Sequence, residues 1–229
     1  ELVTGAAQTR FTDDGRRTIT LPARVAHVLP AGPPASVDLL MMAPETLVGL
    51  TTALTPAEAA FLPARAAALP IIGRLTGHGK TISLDAVKTM APDLVVDIGY
   101  VGGPFVALAD RVQRQTGIPY VLIDGSLAET PATLRKLGKA LKRPARGEAL
   151  AHYAEETLAL VKSRLAAVPD ERRPRVYFAR GSSGLETGVD GSINIEVLAL
   201  AGARNAAHST PQAHSLITVS LSQILAWQP

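Results

Sequence analysis

Short apolar runs alternate with amphipathic stretches along the first half of the chain. The apolar runs, which are typical of buried strands, lie at residues 24–29, 47–50, 93–98 and 120–123. Helical periodicity or helix-capping residues mark the stretches 35–43, 83–90 and 104–116, and an Ala-rich stretch that opens at Thr55-Pro56. Thr-rich residues on both sides of Asp14-Gly15 predict a β-hairpin over 9–21. The alternation of strands and helices predicts a parallel α/β sheet.

The pattern changes after Thr130. Ala and Leu at helical spacing predict two helices, over 131–142 and 145–167, interrupted at Pro144. Beyond Pro174 the alternation resumes, with a strand over 175–179, a glycine-rich loop over 181–191 and a helix over 192–200. The helical segment is long enough to bridge two bodies.

A short repeat relates the two ends of this pattern. Residues 82–92 read ISLDAVKTMAP and residues 219–229 read VSLSQILAWQP, so that Ser, Leu and Pro recur at matching places. A buried strand follows the first copy, whereas the second copy ends at Pro229. We therefore expect two similar α/β lobes with mainly parallel sheets, joined by a long bridging helix, with the second lobe cut short. The predicted boundaries are 1–127, 128–172 and 173–229; chance similarity between two capped helices is the alternative.

Composition excludes several classes of protein. Of the 229 residues 47% are hydrophobic, which excludes a disordered chain. The absence of cysteine excludes disulfides, thiolate metal sites and a cysteine nucleophile. A net charge of +3 and an aromatic content of 4% argue against nucleic-acid binding. No apolar run approaches the roughly 20 residues of a membrane span. Residue 1 is Glu with no signal-like segment after it, so we expect a cytosolic protein or one whose targeting segment has been removed.

Six stretches in a fixed order resemble one known family. They read RVAHVLPAGPPASVDLLMMAPETLVGL, LPIIGRLTGHGKTISLDAVKTMAPDLVVDIG, QTGIPYVLIDG, RPRVYFARGSSGLETG, GSINIEVLALAGARNAA and VSLSQILAWQP. From about residue 19 the chain resembles the periplasmic substrate-binding proteins of ABC importers for iron chelates, haem and cobalamin, of the helical-backbone class III type.

The resemblance implies a function in transport without catalysis. It implies two α/β lobes with a ligand held in the cleft between them, a membrane permease as partner, and a monomer that is periplasmic or tethered to the membrane outside the cytoplasm. The expected ligand is a metal chelate of the ferric-siderophore kind, with haem or cobalamin as further possibilities, and no resident cofactor is expected. A Tyr that ligates haem iron in some relatives has no counterpart in residues 73–81, which weakens haem as the ligand, with His78 and Tyr100 as alternative ligands of the iron.

Ligands of open α/β sheets bind at loops that follow the carboxyl ends of the strands. In this chain those loops are 30–35, 73–80, 99–104, 124–126 and 180–191. Arg74 and Arg180 are candidate partners of an anionic chelate, and Tyr100 is a candidate partner of its apolar face. His78 is the histidine best placed to contact the ligand, and Glu186 is expected to pair with Arg180. Each Arg has a surface salt bridge as its alternative role, and Tyr100 has that of a rim residue.

The resemblance also implies a docking site for the permease. In the family an acidic residue on each lobe contacts arginines of the membrane subunits. The matching positions are Asp85 and Ser222, of which the second carries no charge. Symmetric docking through two salt bridges is therefore in doubt, and Asp85 has a second role available as a first-turn acid that complements the helix dipole.

The main alternative is a cytosolic α/β enzyme that binds a phosphate-bearing substrate at residues 73–81, GRLTGHGKT. A Walker loop has four residues between its Gly and Gly-Lys-Thr, and here five separate Gly73 from Gly79, although Lys80 and three glycines remain able to cradle an oxyanion. The five histidines show no close metal-binding spacing, so no metal site is predicted. No GxSxG elbow is present.

Overall fold

The computed structural model describes residues 9–77, 79–207 and 216–229. Its strands are β1 (Thr9–Thr12), β2 (Thr18–Leu21), β3 (Val28–Pro30), β4 (Leu94–Gly99), β5 (Tyr120–Asp124), β6 (Arg175–Val176), β7 (Glu186–Gly188), β8 (Arg204–Asn205) and β9 (Leu216–Thr218). Its α-helices are α1 (Pro33–Met42), α2 (Pro56–Ala59), α3 (Ala64–Ala67), α4 (Leu84–Met90), α5 (Gly103–Thr116), α6 (Thr130–Ala140), α7 (Pro144–Leu165), α8 (Glu196–Leu200) and α9 (Leu221–Trp227).

The described chain forms two compact units. The first contains the residues up to Gly125 together with Pro131–Ala151, and the second contains Ser126–Thr130 and His152–Pro229. The predicted α/β class is confirmed. The division falls within α7, whereas the sequence predicted a separate helical segment over 128–172.

A parallel sheet forms the centre of the first unit. Strands β3, β4 and β5 pair in that order, and single parallel bridges from Val28 to Leu47 and from Leu50 to Ile71 extend the sheet. The apolar runs of β4 and β5 are buried almost throughout, as expected of strands covered on both faces. Helices α4 and α5 contribute Val87, Ala109 and Val112 to the core around this sheet.

The predicted hairpin is confirmed as the antiparallel pair β1–β2. Its turn is attached to β5, because Asp13 accepts a hydrogen bond of 3.1 Å from the backbone N–H of Leu122. Arg17 holds the same strand by donating to the carbonyl of Tyr120 at 3.1 Å. The hairpin therefore covers the outer edge of β5.

Helices α6 and α7 meet at two glycines. A Cβ on Gly138 would lie 2.8 Å from the Cα of Gly147, and a Cβ on Gly147 would lie 2.8 Å from the carbonyl oxygen of Leu134. Real Cβ contacts are not this short, so the backbones approach as closely as they do because both positions are glycine. The two predicted helices over 131–142 and 145–167 are present, and each begins one residue earlier and ends two residues earlier than predicted.

Three elements are shorter than the sequence predicted. The strand expected over 24–29 begins only at Val28, because the N–H groups of Ala26 and His27 donate to the Asp93 carboxylate instead of to a neighbouring strand. The Ala-rich helix after Thr55 is interrupted near Pro63 and forms the short helices α2 and α3. In the second unit, β6 has two residues.

The helix expected over 192–200 is also wrong at its start, and α8 begins at Glu196. Ser192 Oγ accepts from both the backbone N–H and the side-chain amide of Asn194, at 3.3 and 3.2 Å. Such local side-chain bonds compete with helical backbone bonds.

The sequence repeat corresponds to two similar helices, α4 and α9. Ser83 and Ser220 cap their first turns through side-chain oxygens. Ala91 and Gln228 end them in left-handed conformations, at φ 43° and 49°. The repeat therefore encodes the same capped helix once in each unit. Among the described residues, no helix combines the length and the apolar character needed to cross a membrane.

Candidate functional site

The loop that follows β3 is joined to the glycine loop that begins at Gly73. The backbone N–H groups of Leu75 and Thr76 both donate to the carbonyl of Ala31, at 2.7 and 3.0 Å. The Thr76 hydroxyl also donates to Asp97 Oδ1 at 3.1 Å. These bonds fix the first half of the glycine loop, residues 73–81, against the end of the sheet.

Asp97 is a buried carboxyl group at the centre of this arrangement. Only 3% of the residue is exposed, and the Tyr120 hydroxyl donates to its second oxygen at 2.9 Å. Burial raises the pKa of Asp97, and the hydrogen bonds from Tyr120 and Thr76 offset that increase only in part. Sequence reasoning did not select Asp97, although an acid within an otherwise apolar buried strand is a recognisable signal.

Arg74 folds back over its own loop. A Cβ on Gly79 would lie 3.0 Å from the guanidinium carbon of Arg74, and Gly79 has a φ of 129°. The Nε atom of Arg74 is buried and has no hydrogen-bond partner. Arg74 lines a cavity of about 400 Å³ together with Arg111 and Gln115 of α5. Sequence reasoning missed Arg111 and Gln115, because their helical spacing predicts only an exposed helix face.

Tyr100 follows β4 and packs at the start of α5. Its ring lies edge-on to that of Phe105, with centroids 6.0 Å apart and planes at 87°. A Cβ on Gly102 would come within 2.2 Å of the Tyr100 ring, so the glycine makes room for it. The residue is 40% exposed and presents an aromatic surface at the same end of the sheet as Arg74.

Arg180 and Glu186 face each other across a short loop of the second unit. Their backbones exchange hydrogen bonds of 2.8 and 3.3 Å, and Arg180 Nε lies 3.9 Å from Glu186 Oε2. Gly181 and Gly184 close the loop with φ values of 74° and 70°. The predicted ion pair is therefore present, with both side chains more than a third exposed.

The two predicted docking residues occupy equivalent places. Asp85 is the second residue of α4 and Ser222 the second residue of α9. The Asp85 side chain is 94% exposed and lies 3.7 Å from Lys88 Nζ, whereas Ser222 Oγ lies 2.8 Å from Ser220 Oγ. His78, which the sequence placed in the ligand site, lies outside the described residues.

The phosphate-loop alternative is not supported by the backbone. A phosphate cradle needs amide N–H groups directed at the anion. Here the N–H of Arg74 donates to the carbonyl of Lys80 at 3.0 Å, and those of Leu75 and Thr76 donate to Ala31. The next helix begins only at Leu84 and is capped by Ser83. No group of three or more His, Asp or Glu residues within 9–77, 79–207 and 216–229 is placed to hold a metal ion.

Comparison with known proteins gives consistent results. The sequence model of a family described as periplasmic binding protein matches residues 52–229, which is more than half of the chain. An ABC transporter solute-binding protein from Sulfurospirillum deleyianum is 26% identical with a TM-score of 0.82, and the match covers 96% of this chain and 69% of that one. No curated protein matches significantly.

Two further solved structures share the fold at lower identity. The molybdate-binding protein of Haemophilus influenzae is 19% identical with a TM-score of 0.72, covering 96% of this chain and 72% of that one. The haem-binding protein of a Roseiflexus species is 22% identical with a TM-score of 0.68, covering 90% and 74%.

Proposed function

Because the chain belongs to the periplasmic binding protein family, we propose that it captures an iron–siderophore-like metal chelate outside the cytoplasm and delivers it to the permease of an ABC importer. The observation that carries this proposal is the family match over residues 52–229. The similar solved structures are likewise solute-binding proteins. The two solved structures that are described as molybdate-binding and haem-binding proteins support a metal-containing ligand.

The chemistry around Arg74 favours an anionic ligand. Arg74 and Arg111 line the same cavity, and no carboxylate is among the residues that line it. The unpartnered Nε of Arg74 is a donor that a ligand oxygen would satisfy. Guanidinium groups bind carboxylate, phosphate and similar paired oxygens in a bidentate way. Catecholate and citrate chelates of iron present such oxygens on their surface.

Tyr100 supplies the second element of recognition. Its partly exposed ring, supported edge-on by Phe105, suits the apolar or aromatic body of a chelate. We further propose that His78 contacts the ligand and that Arg180 and Glu186 are the ligand residues of the second unit. Their direct ion pair leaves part of each side chain exposed for such a contact.

Delivery is proposed to involve Asp85. Its almost fully exposed carboxylate at the start of α4 is available to an arginine of the permease. Ser222 takes the equivalent place on α9 without a charge. We therefore propose that docking is asymmetric, with an ion pair at α4 and a neutral contact at α9.

A thermal-shift panel tests the ligand class. It contains a ferric tris-catecholate, a ferric hydroxamate, ferric citrate, hemin, cobalamin, molybdate and ATP–magnesium. A ligand present at 100 times its Kd adds about 2.7 kcal/mol to the free energy of unfolding, which is a readily measured shift. Stabilisation by a ferric siderophore or ferric citrate supports the proposal. Stabilisation by hemin, cobalamin or molybdate alone overturns the siderophore assignment, and stabilisation by ATP–magnesium alone overturns the importer function.

A further inference from the structure

A second polar cavity lies at the opposite end of the first unit's sheet from the ligand loops. It has a volume of about 570 Å³ and lies beside residues 26 and 27, immediately before β3 begins. Its charged and titratable lining residues are Arg24, His27, Glu45, Arg65, Lys142 and Arg143. Parallel strands all start at one end of a sheet and finish at the other end. This cavity therefore lies at the amino end of the strands, and the glycine loop lies at their carboxyl end.

Positive charge dominates the lining. The lining contains one carboxylate, that of Glu45, and four cationic side chains, those of Arg24, Arg65, Lys142 and Arg143. Arg143 donates to this carboxylate at 2.7 Å. Burial alone would raise the pKa of Glu45, but the hydrogen bond and charge of Arg143 and the charge of Arg65 lower it below its ordinary value. Glu45 is therefore ionised at neutral pH and neutralises only one of the four cations.

Asp93, whose carboxylate bonds two residues of the lining, is already engaged. Asp93 Oδ2 accepts hydrogen bonds from the backbone N–H groups of Ala26 and His27, at 2.7 and 2.8 Å. It also lies 3.7 Å from His27 Nδ1, and that side chain is 68% exposed. In the part of the chain that the structure describes, Arg24 forms no hydrogen bond or ion pair. Among the described residues that line the cavity, the cationic side chains therefore outnumber the carboxylates.

The cations come from three separate segments. Arg24 lies in the loop before β3, Arg65 in α3, and Lys142 and Arg143 in the connection between α6 and α7. Lys142 holds a left-handed φ of 59° at this connection, and its Nζ donates to Thr9 Oγ1 at 2.9 Å. The fold therefore brings together guanidinium groups that are distant in the sequence.

We propose that this amino-end cavity binds a phosphate-type oxyanion. The guanidinium groups of Arg24 and Arg65 provide paired donors that match phosphate oxygens, and the exposed imidazole of His27 adds a third donor. The anion is either a free phosphate or the headgroup of an anionic phospholipid, since both present the same oxygens. The proposal is independent of the chelate function, because the two sites share no residue.

Amide chemical shifts during titration with inorganic phosphate at constant ionic strength test the site. We expect saturable shifts at residues 23–27, 65 and 141–143. The Arg24→Gln/Arg65→Gln double variant loses at least about tenfold in affinity, because the charged hydrogen bonds of both guanidinium groups are removed. Arg164→Gln, which removes an exposed charge from α7, is the matched control and keeps wild-type affinity. Shifts confined to residues 73–81, or no saturable shift with either phosphate or vesicles, overturn the proposal.

Vesicles distinguish the two sources of phosphate. The protein is sedimented with phosphatidylcholine vesicles and with vesicles that also contain phosphatidylglycerol. If the protein binds the anionic vesicles and the double variant does not, the ligand is a lipid headgroup. If the protein binds phosphate saturably but does not bind vesicles, the ligand is a free phosphate. If the double variant and Arg164→Gln reduce vesicle binding equally, the binding reflects net charge alone. That result contradicts a defined site. Both substituted arginines are exposed, and the thermal unfolding of each variant confirms that it is folded.

Discussion

Thr76 donates a hydrogen bond of 3.1 Å to Asp97, and this bond joins the glycine loop to the central strand of the first unit. Together with the hydrogen bond from Tyr120 it occupies both oxygens of a buried carboxyl group. The loop that carries Arg74 is thus held by the side chain of Thr76 as well as by backbone hydrogen bonds. The Thr76–Asp97 bond therefore helps to fix the loop on which Arg74 lies.

Thr76→Val removes that bond while keeping the shape of the side chain. The variant removes one of the hydrogen bonds to the buried Asp97 carboxyl group, so we expect a loss of about 1–3 kcal/mol in the free energy of unfolding. Amide hydrogen exchange at residues 75 and 76 should accelerate. Thr89→Val is the control, because the Thr89 hydroxyl bonds an exposed carbonyl of its own helix. Equal effects of the two substitutions would contradict the role of Thr76.

Asp38 predicts a dependence of stability on pH. Burial on α1 raises its pKa from 3.8 to about 6. The folded state then holds the proton of Asp38 more tightly than the unfolded state. The contribution of protonated Asp38 to the free energy of unfolding is therefore full below about pH 4 and is lost as the pH rises through 6.

Asp38→Asn removes this dependence. We expect the variant to match the wild type near pH 4 and to exceed its free energy of unfolding by up to roughly 3 kcal/mol above about pH 7. Urea denaturation across this range measures the difference. A difference for Asp38→Asn that does not change with pH would refute the prediction.

Gly138→Ala tests the contact between α6 and α7. The added Cβ would meet backbone atoms at 2.8 and 2.9 Å, which cannot move away as a flexible side chain would. We expect a loss of about 1–3 kcal/mol from overpacking, despite a gain of about 1 kcal/mol in helix propensity. Gly103→Ala on α5 is the control, because nothing lies within 4 Å of its added Cβ. Thermal unfolding of both variants measures the two changes in stability.

Arg74→Ala should weaken binding of an anionic ferric chelate at least tenfold, because a desolvated charged hydrogen bond is lost. Tyr100→Ala should weaken it as well, with a larger effect on chelates that have aromatic bodies. Arg114→Ala, at an exposed position on α5, is the control for charge. Isothermal titration with the stabilising chelate of the panel measures all three. Unchanged affinity in Arg74→Ala would remove this residue from the site.

Asp85→Asn should weaken association with the permease and leave chelate affinity unchanged. The effect should shrink at high salt, because an exposed ion pair is screened. Ser222→Ala is the matched substitution on α9 and should have little effect on either measurement. Binding to permease reconstituted in lipid discs provides the readout. A stronger effect from Ser222→Ala than from Asp85→Asn would reverse the proposed asymmetry.

Local signals in the sequence predicted much of the first unit. Asp14-Gly15 located the hairpin, and Ser83 located the start of α4, because turns and caps depend on a few adjacent residues. The Arg180–Glu186 pair was also predictable, since a short glycine loop separates the two residues. Predictions failed where a distant group intervened, as when the Asp93 carboxylate took the N–H groups of Ala26 and His27.

The sequence by itself determined the α/β class, the order of most strands and helices, and the repeated capped helix. These depend on periodicity and on neighbours along the chain. Only the tertiary structure decided that Thr76 bonds Asp97, that Arg74 and Arg111 line one cavity, and that Arg24 and Arg65 line another. Those contacts join residues far apart in the sequence, and their geometry follows from how the sheet and helices pack around a shared core.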